Sequence, residues 1–371
     1  MSNPTVPNKS FFDCKRFRSI EYEFLHAAEN AALSAIHWVG CGEKERADFA
    51  ACDAIRSALD KVDICAEVIS GEGIKDNAPG IFHGERLGTW TPGSPRFDIV
   101  LDPVDGTTNL ARGMTNSISA IGASLILSEE HSRVLALPSF YSHKITFGHR
   151  VAQTITNSKL SVNWLDQPLE ETLLDIAQML DKPVTELVAL VLDRPRNEAF
   201  IRHIRNSGAK LRTISDGDIA GAIAPALPDA DVDLYVGIGG TPEGILAAAA
   251  LRALGGGMQM RMWFRSEDER VALSRNVSEP ECARLYREEE IVPGENVIFC
   301  ATGILDSPML PGVKWLGKAA VTHSVIMLAP SCSIRYIRTV HDLERSVVLP
   351  FREMRQLGRP TESAACNSAS T

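Results

Sequence analysis

The sequence has no long apolar run, no excess of basic residues and no secretory signal. No stretch approaches the roughly 18 consecutive apolar residues of a membrane-spanning helix, and the N-terminal residues MSNPTVPNKSFFD lack an apolar signal core. These absences predict a cytoplasmic, soluble protein that acts without a membrane. The formal net charge of −9 argues against a nucleic-acid partner, because a polyanion is bound by a basic surface.

Paired cysteine motifs are also lacking. The chain has 8 cysteines, and none of them forms a C-x-x-C pair. Segments such as VDICAEV and VIFCATG place cysteines in apolar surroundings, which predicts reduced, mostly buried thiols. No cysteine or serine stands in a recognisable nucleophile context, so covalent catalysis is not expected.

The length and composition are those of a globular protein with a large core. The chain has 371 residues, of which 44% are hydrophobic and 23% charged, so one large or two ordinary domains are expected. From residue 169 onward, helical and strand patterns alternate as in a three-layer α/β domain. We predict an N-terminal α+β metal-binding half over 12–165, an α/β substrate-binding half over 166–345 and a disordered tail over 346–371. Two short strands are expected within RVLALPSFYSHKITFG, residues 133–148.

Several short motifs place an acid at the end of an apolar strand or beside glycine. They are GCGEK with Glu43, GEG with Glu72, DPVDGT with Asp102 and Asp105, SDGD with Asp216 and Asp218, and GGTPEG with Glu243. Taken singly, GEG and SDGD are as typical of a turn or helix cap, and GGTPEG of a first-turn helix acid.

The DPVDGT motif is the most specific of these because the apolar run FDIVL leads straight into it. Two ionised carboxylates at Asp102 and Asp105 would repel each other in a partly buried site, and a divalent cation removes that penalty. Mg²⁺ and Mn²⁺ prefer carboxylate, carbonyl and water oxygens. Pro103 and Gly106 force a sharp turn, after which Thr107 places a hydroxyl where a phosphate fits. A turn with capped aspartates remains the alternative.

The motifs together resemble those of a known enzyme family. The segments that carry the resemblance are GEGIKDNAP, GERLG, DIVLDPVDGT, RPRNEAFI, ISDGD, YVGIGGTPEG, LRALGGGMQMR and NVIFCATGI, between Ala28 and His341. The chain is similar to the class II fructose-1,6-bisphosphatases of the lithium-sensitive, metal-dependent phosphatase superfamily. The resemblance implies the α/β (α+β) sugar-phosphatase fold, with layered sheets and helices and a site between the two halves.

The resemblance also implies roles for individual residues. The implied metal ligands, for Mg²⁺ or Mn²⁺, are Glu72, Asp102, Asp105, Glu243 and, more loosely, Glu43. The implied substrate contacts are Thr107, Tyr141, Arg194, Arg196, Asp216 and Asp218. Thr107, Glu72 and Asp105 are the expected catalytic residues, with Thr107 orienting or deprotonating a water and Glu72 or a neighbouring acid relaying the proton.

The arginine pair suggests a substrate with two phosphates. Arg194 and Arg196 would clamp the phosphate that is not cleaved, because guanidinium groups suit phosphate, and a solvated helix start is the alternative. Tyr141 would stack on the sugar or hydrogen-bond to it. The expected substrate is therefore a small-molecule sugar bisphosphate.

The sequence departs from the usual family pattern at three positions. Glu43 stands where aspartate is usual, Ile74 where a second acid is usual, and Asp105 where the turn D-P-I-E-G-T has glutamate. DPVDGTTN is closer to the inositol monophosphatases.

The expected function is that of a phosphoric monoester hydrolase. It would remove the 1-phosphate of fructose 1,6-bisphosphate to give fructose 6-phosphate and phosphate. The alternatives are a sedoheptulose-1,7-bisphosphatase, a dual-specificity or inositol-phosphatase-like enzyme, and a non-catalytic sugar-phosphate-binding paralogue. A homo-oligomer, either a dimer or a tetramer, is expected.

Overall fold

The computed structural model of the protein describes residues 20–71, 74–75, 78–79, 81–128, 132–274 and 278–344. Glu72 and the predicted tail, 346–371, lie outside these residues. The helices are α1 Ile20–Ala35, α2 Lys44–Leu59, α3 Thr107–Arg112, α4 His149–Asn157, α5 Leu169–Leu180, α6 Glu198–Ser207, α7 Asp218–Ile223, α8 Thr241–Leu254, α9 Glu267–Ser274, α10 Glu279–Cys282 and α11 Glu288–Ile291. The strands are β1 Cys65–Ser70, β2 Ile74–Lys75, β3 Ala78–Pro79, β4 Arg86–Leu87, β5 Arg96–Asp105, β6 Ser117–Ile126, β7 Tyr141–Phe147, β8 Val188–Leu192, β9 Lys210–Ile214, β10 Leu234–Gly240, β11 Gly257–Trp263, β12 Val297–Leu305, β13 Lys314–Leu316, β14 Ala319–Leu328 and β15 Ser333–Asp342. Short 3₁₀ turns span Ile36–Trp38, Val184–Glu186, Pro195–Asn197 and Ala224–Ala226.

The first sheet has eight strands in the order β13-β14-β12-β6-β5-β1-β4, with β15 also paired to β14. Neighbouring strands are antiparallel except β1 and β5, which are parallel. The ten-residue strands β5 and β6 are buried along almost their whole length. A strand that is buried on both faces requires cover on both sides of the sheet, and helices supply it.

The second sheet has five strands in the order β11-β7-β10-β8-β9. Strand β7 is antiparallel to β10 and β11, whereas β10, β8 and β9 are parallel neighbours. Helices α4, α5 and α6 pack on the outer face of this sheet through one apolar cluster.

Helix α8 lies between the two sheets. It contacts β5, β6 and β12 of the first sheet and β7, β10 and β11 of the second. Its alanine run, Ala247–Ala250, is fully buried, and a helix that is apolar on all sides is suited to such an interior position. Helices α1 and α2 cover the other face of the first sheet. The layers are therefore helix, sheet, helix, sheet, helix.

The predicted α/β class with layered sheets and helices is confirmed. The two sheets do not follow the predicted division at residue 165. Strand β7 precedes that point and belongs to the second sheet, whereas β12, β14 and β15 follow it and return to the first. The sheet to which a strand belongs is set by its pairing with strands far away in the sequence. The order of helices and strands along the chain does not specify that pairing.

The first of the two strands predicted in residues 133–148 does not form, because residues 132–139 belong to no strand. The Val134 amide donates instead to Asp98 Oδ2 at 2.9 Å, and the Leu135 amide donates to the Ile291 carbonyl at 2.9 Å. These bonds to separate partners satisfy the backbone without a neighbouring strand. The second predicted strand in this segment is β7.

Among the described cysteines, three are buried, Cys65 is half-buried, and Cys41 and Cys332 are exposed; all of these are free thiols. In the part of the chain that the structure covers, no helix combines the length and the apolar character that crossing a bilayer requires.

Candidate active site

The candidate site residues stand at the ends of elements from both sheets. Asp102 and Asp105 lie at the end of β5, and the pairing of β5 with β6 shifts register between them. Such a bulge bends the strand and redirects its side chains. Gly106 follows with a φ of 90°, and a Cβ there would lie 2.4 Å from the Asn116 carbonyl oxygen. Glycine is therefore required at the turn that begins α3 at Thr107.

Asp105 connects the first sheet to the layer between the sheets. Its two carboxylate oxygens accept the backbone amides of Asp218 at 3.1 Å and Ile219 at 3.0 Å, at the start of α7. The side chain is buried, and this burial, together with the charges of Glu243, Asp218 and Asp216, raises the pKa of Asp105 well above its ordinary value. The structure thus brings four of the predicted acids into one cluster.

Asp218 is buried and holds a fixed set of partners. The ammonium of Lys144 donates to its Oδ2 at 2.6 Å, and the hydroxyl of Tyr235 donates to its Oδ1. Lys144 also donates to the carbonyl of Gly240 at 3.0 Å. Sequence reasoning missed Lys144 and Tyr235, although a lysine inside the apolar strand YSHKITF was a usable signal of a buried counter-ion.

Two glycines make room for the acids where β10 meets α8. A Cβ on Gly239 would lie 1.9 Å from Asp218 Oδ2, and a Cβ on Gly240 would lie 1.8 Å from Glu243 Oε2. Glu243 stands in the first turn of α8, where the helix dipole favours a negative charge. The GGTPEG motif therefore shapes the cluster through its glycines as well as its acid.

Asp216 joins the arginine predicted to bind phosphate to the start of α3. Its Oδ1 accepts the guanidinium of Arg194 at 2.8 Å, and its Oδ2 accepts the amide of Thr108 at 3.0 Å. The carbonyl of Asp216 also accepts a bond from the Asn116 side chain at 2.5 Å. Thr107, the first residue of α3, is half-buried beside these groups.

Arg196 and Tyr141 are in direct contact. The Arg196 guanidinium lies 4.3 Å from the centroid of the Tyr141 ring, at a distance typical of a cation–π contact. The Arg196 Nε donates to the Ile238 carbonyl at 2.9 Å. Tyr141, the predicted sugar contact, and Arg196, a predicted phosphate contact, are therefore neighbours in the structure.

The structure places Glu43 apart from the buried acids. Its side chain is 49% exposed and forms an ion pair with Arg46 at 3.6 Å. Glu43 is the N-cap residue of α2. The next residue, Lys44, begins the helix and donates to the Thr108 hydroxyl at 2.9 Å, so this face of α2 points toward α3. Asp48 lies four residues after Lys44, on that same face, and its Oδ1 is buried. Sequence reasoning missed Asp48, because the contact of Lys44 with Thr108 that places this face of α2 near α3 spans 64 residues of sequence.

A cleft of about 760 Å³ opens beside these residues. Asp102, Tyr141 and Glu243 lie on its walls, and His83 and Arg265 line it as well. Its volume falls in the range of small-molecule sites. The cleft and the acid cluster together form a site at which a small polar substrate can meet several carboxylates.

Two comparisons with known proteins bear on this site. Residues 18–341 match the family model described as bacterial fructose-1,6-bisphosphatase, glpX-encoded. A fructose-1,6-bisphosphatase class 2 from Haemophilus influenzae is 38% identical over 339 residues, covering 88% of this chain and 97% of that protein. Fructose-1,6-bisphosphatase 1 class 2 from Escherichia coli strain K12 is 34% identical over 341 residues, covering 88% of this chain and 96% of that protein.

The chain belongs to the bacterial fructose-1,6-bisphosphatase family. This membership confirms the resemblance seen in the sequence motifs, and with it the predicted enzyme class of phosphoric monoester hydrolase. The family is one of metal-dependent phosphatases. The roles of the individual residues stay predictions.

The donor set of this family member fits a hard divalent cation. Asp102, Asp105 and Glu243 offer carboxylate oxygens. Burial, and then the charges of the neighbouring acids, raise the pKa of Asp105, and a cation at this position would favour its ionised form. Within the described ranges, no three His, Cys, Asp or Glu side chains are already arranged as a metal cage, and Glu72 lies outside them. Mg²⁺ commonly uses only one or two carboxylates together with waters and substrate phosphates, so the donor set remains compatible.

Proposed function

We propose that this chain removes the 1-phosphate of fructose 1,6-bisphosphate to give fructose 6-phosphate and phosphate. The observation that supports this most is the cluster around Asp105, where burial and three neighbouring carboxylates raise the pKa of one acid. Clustered carboxylates beside a small-molecule cleft are the arrangement that metal-assisted phosphate hydrolysis needs. The names of the class 2 relatives supply the substrate.

The proposed cation is Mg²⁺ or Mn²⁺, held by Glu72, Asp102, Asp105 and Glu243. When bound, such a cation would activate a water, neutralise the phosphoryl oxygens and stabilise the leaving alkoxide. From α2 we propose Asp48 in place of Glu43, because Asp48 shares the face of Lys44 whereas Glu43 is exposed and paired with Arg46.

The catalytic proposal assigns proton handling to Thr107 and Glu72. The Thr107 hydroxyl, at the start of α3, would orient or deprotonate the attacking water. Glu72 or a neighbouring acid would relay the proton. Asp105, held by two amides of α7, would keep the end of β5 fixed against the second half of the site.

The substrate proposal uses the arginines and Tyr141. Arg194 and Arg196 would bind the 6-phosphate through charge-assisted, bidentate hydrogen bonds, and Tyr141 would pack against the sugar. Asp216 lies beside Arg194 and would accept a sugar hydroxyl or orient that arginine. Asp218 would also contact the sugar, through the acceptor sites that Lys144 and Tyr235 leave open on its carboxylate.

An inositol-phosphatase-like activity is the second candidate function. The observation that favours it is the shorter acid Asp105 in DPVDGTTN. A sedoheptulose-1,7-bisphosphatase, a dual-specificity enzyme and a non-catalytic sugar-phosphate-binding protein remain the further alternatives.

The test is phosphate release from fructose 1,6-bisphosphate with Mg²⁺, with Mn²⁺ and with a chelator. We expect turnover only with a cation. Asp102→Ala should lower kcat by at least about a hundredfold, because it removes part of the charge-neutralising site. The control Asp60→Ala changes an exposed acid at the end of α2 and should be silent. Phosphate release that persists in excess chelator would contradict the proposed metal dependence of hydrolysis.

We also propose a cytoplasmic location and a homo-oligomer, a dimer or a tetramer. A phosphorylated sugar is an intracellular metabolite, and the described cysteines are free thiols, which suits a reducing compartment. Light scattering coupled to size exclusion measures the oligomeric state directly.

A further inference from the structure

Lys144 is a lysine with no exposed surface. Its side chain is 0% exposed, and that of its partner Asp218 is 7% exposed. Removing an ammonium from water costs several kcal/mol unless paired groups compensate. Most lysines stay at the surface for this reason. A fully buried lysine next to a cluster of acids therefore requires an explanation.

The contacts of Lys144 connect the elements that carry the acids. One bond goes to Asp218 Oδ2 at 2.6 Å, and Asp218 in turn presents its amide to Asp105. The other bond goes to the carbonyl of Gly240 at 3.0 Å, and Gly240 is the N-cap residue of α8, which bears Glu243. A single ammonium thus fixes the start of α7 and the start of α8 relative to β7.

Tyr235 complements Lys144 without adding charge. Its hydroxyl donates to the other oxygen of Asp218, so both carboxylate oxygens have a buried donor. Asp218 is therefore held by the interior of the protein. This anchoring keeps the backbone amide of Asp218 in place to donate to Asp105.

We infer that Lys144 is a positioning residue whose ammonium acts as a built-in cation of the acid cluster, holding Asp218 and Gly240 in place before any divalent ion binds. The inference rests on the proposed function, because it assumes that the cluster binds a divalent cation. The ammonium supplies positive charge that the acids would otherwise take from bound ions. It also fixes the position of Asp105 relative to Glu243, because Asp105 accepts amides from the start of α7 and Glu243 lies in the first turn of α8.

Lys144→Met tests the inference, because methionine keeps much of the length and removes the charge. Melting temperatures are measured without substrate, in chelator and in excess Mg²⁺. We expect the variant to melt several degrees lower in chelator and to gain more from Mg²⁺ than the wild type does. With saturating Mg²⁺, kcat for fructose 1,6-bisphosphate should fall at least about tenfold while KM changes less.

Two control variants separate charge from general destabilisation. Lys182→Met removes an ammonium that bonds Asp233 at the same distance, 2.6 Å, but outside the cluster. It should lower the melting temperature without changing the gain from Mg²⁺. Tyr235→Phe removes a donor to Asp218 but no charge, and it should likewise leave the Mg²⁺ gain unchanged.

If Lys144→Met is unfolded in chelator, we expect Mg²⁺ to restore the folded state, whereas sodium chloride of equal ionic strength should not. The double variant Lys144→Met/Asp218→Asn removes both charges and should return the Mg²⁺ gain to the wild-type value. If Mg²⁺ raises the melting temperature of Lys144→Met no more than that of the wild type, the inference is wrong while the proposed function stands. A wild type whose melting temperature responds to neither Mg²⁺ nor Mn²⁺ overturns the proposed metal site, and the inference with it.

Discussion

At the scale of single residues, Asp105 is a buried carboxylate held by two backbone amides among other acids. We predict that Asp105→Asn lowers kcat at least about a hundredfold, because it removes a charged ligand of the proposed cation. In chelator the melting temperature should change by only a few degrees, because relief of repulsion among the acids is offset by the backbone amide that the asparagine nitrogen cannot accept. Phosphate release and thermal melting measure the two effects. An active Asp105→Asn enzyme would remove Asp105 from the metal site.

Glu288 gives a pH-dependent prediction away from the site. Burial, reinforced by Glu289, raises its pKa from 4.5 to about 7, and its Oε2 accepts the Met258 amide at 2.7 Å. As pH rises from 4.5 to 7, the unfolded chain releases a proton that the folded protein retains. The free energy of unfolding therefore falls through this window and levels off above it.

Glu288→Gln should abolish that loss because the amide keeps an acceptor for Met258 without a titrating proton. The variant should exceed the wild type by at most about 3 kcal/mol at high pH, and the two should converge near pH 4.5. Chemical denaturation at both ends of the window measures this. Parallel wild-type and variant pH profiles would contradict the assignment.

The residue scale also shows what the sequence could predict. Asp102 and Asp105 were identifiable because an apolar strand leads into them. The position of Lys144 inside an apolar strand was a usable signal, but its partner was not predictable, because Asp218 lies 74 residues further along the chain and a contact over that distance leaves no local pattern. Glu43 was chosen because it stands beside glycines, but solvent exposure and its pairing with Arg46 are properties of the folded helix.

At the scale of elements, the glycines where β10 meets α8 leave the space that the carboxylates of the site occupy. A Cβ on Gly240 would overlap Glu243 Oε2 at 1.8 Å, so Gly240→Ala must displace that carboxylate. We predict a loss of kcat of at least about tenfold with the fold retained. Gly317→Ala is the control, because its φ of 70° costs stability while no atom lies within 4 Å. Equal kcat values for Gly240→Ala and the wild type would show that Glu243 has no role in turnover.

Strand identity was largely predictable, whereas strand partners were not. The apolar run FDIVL before Asp102 was expected to be a strand and lies within β5. By contrast, β7 was assigned to the first half and pairs instead with β10 and β11 of the second sheet. The apolar pattern of a strand specifies that it is buried, and only the long-range ladder specifies its neighbours.

At the scale of the whole molecule, α7 and α8 lie between the two sheets and bring acids from both to one place. Asp105 comes from the first sheet, and Asp218 begins α7 against the second. The site therefore depends on how the sheets stack, which single motifs do not encode. The order of the motifs along the sequence nevertheless made the fold class predictable, and the family match over residues 18–341 agrees with it.

We propose that this site binds a sugar bisphosphate through two separate phosphate positions. One would be the acid cluster with its cation. The other would be formed by Arg194, paired with Asp216 at 2.8 Å, and Arg196, which stacks on Tyr141. Burying a second phosphate without such partners would be costly.

The most direct measurement compares kcat/KM for fructose 1,6-bisphosphate and inositol 1-phosphate, in the wild type and in Arg194→Ala/Arg196→Ala. We predict that the wild type prefers the bisphosphate by more than about a hundredfold, roughly 2.7 kcal/mol. The double variant should lose most of that preference and keep slow hydrolysis of small monoesters. Equal loss on both substrates would show that the arginines support the fold or the acid cluster instead. A wild type that prefers inositol 1-phosphate would contradict the bisphosphatase account.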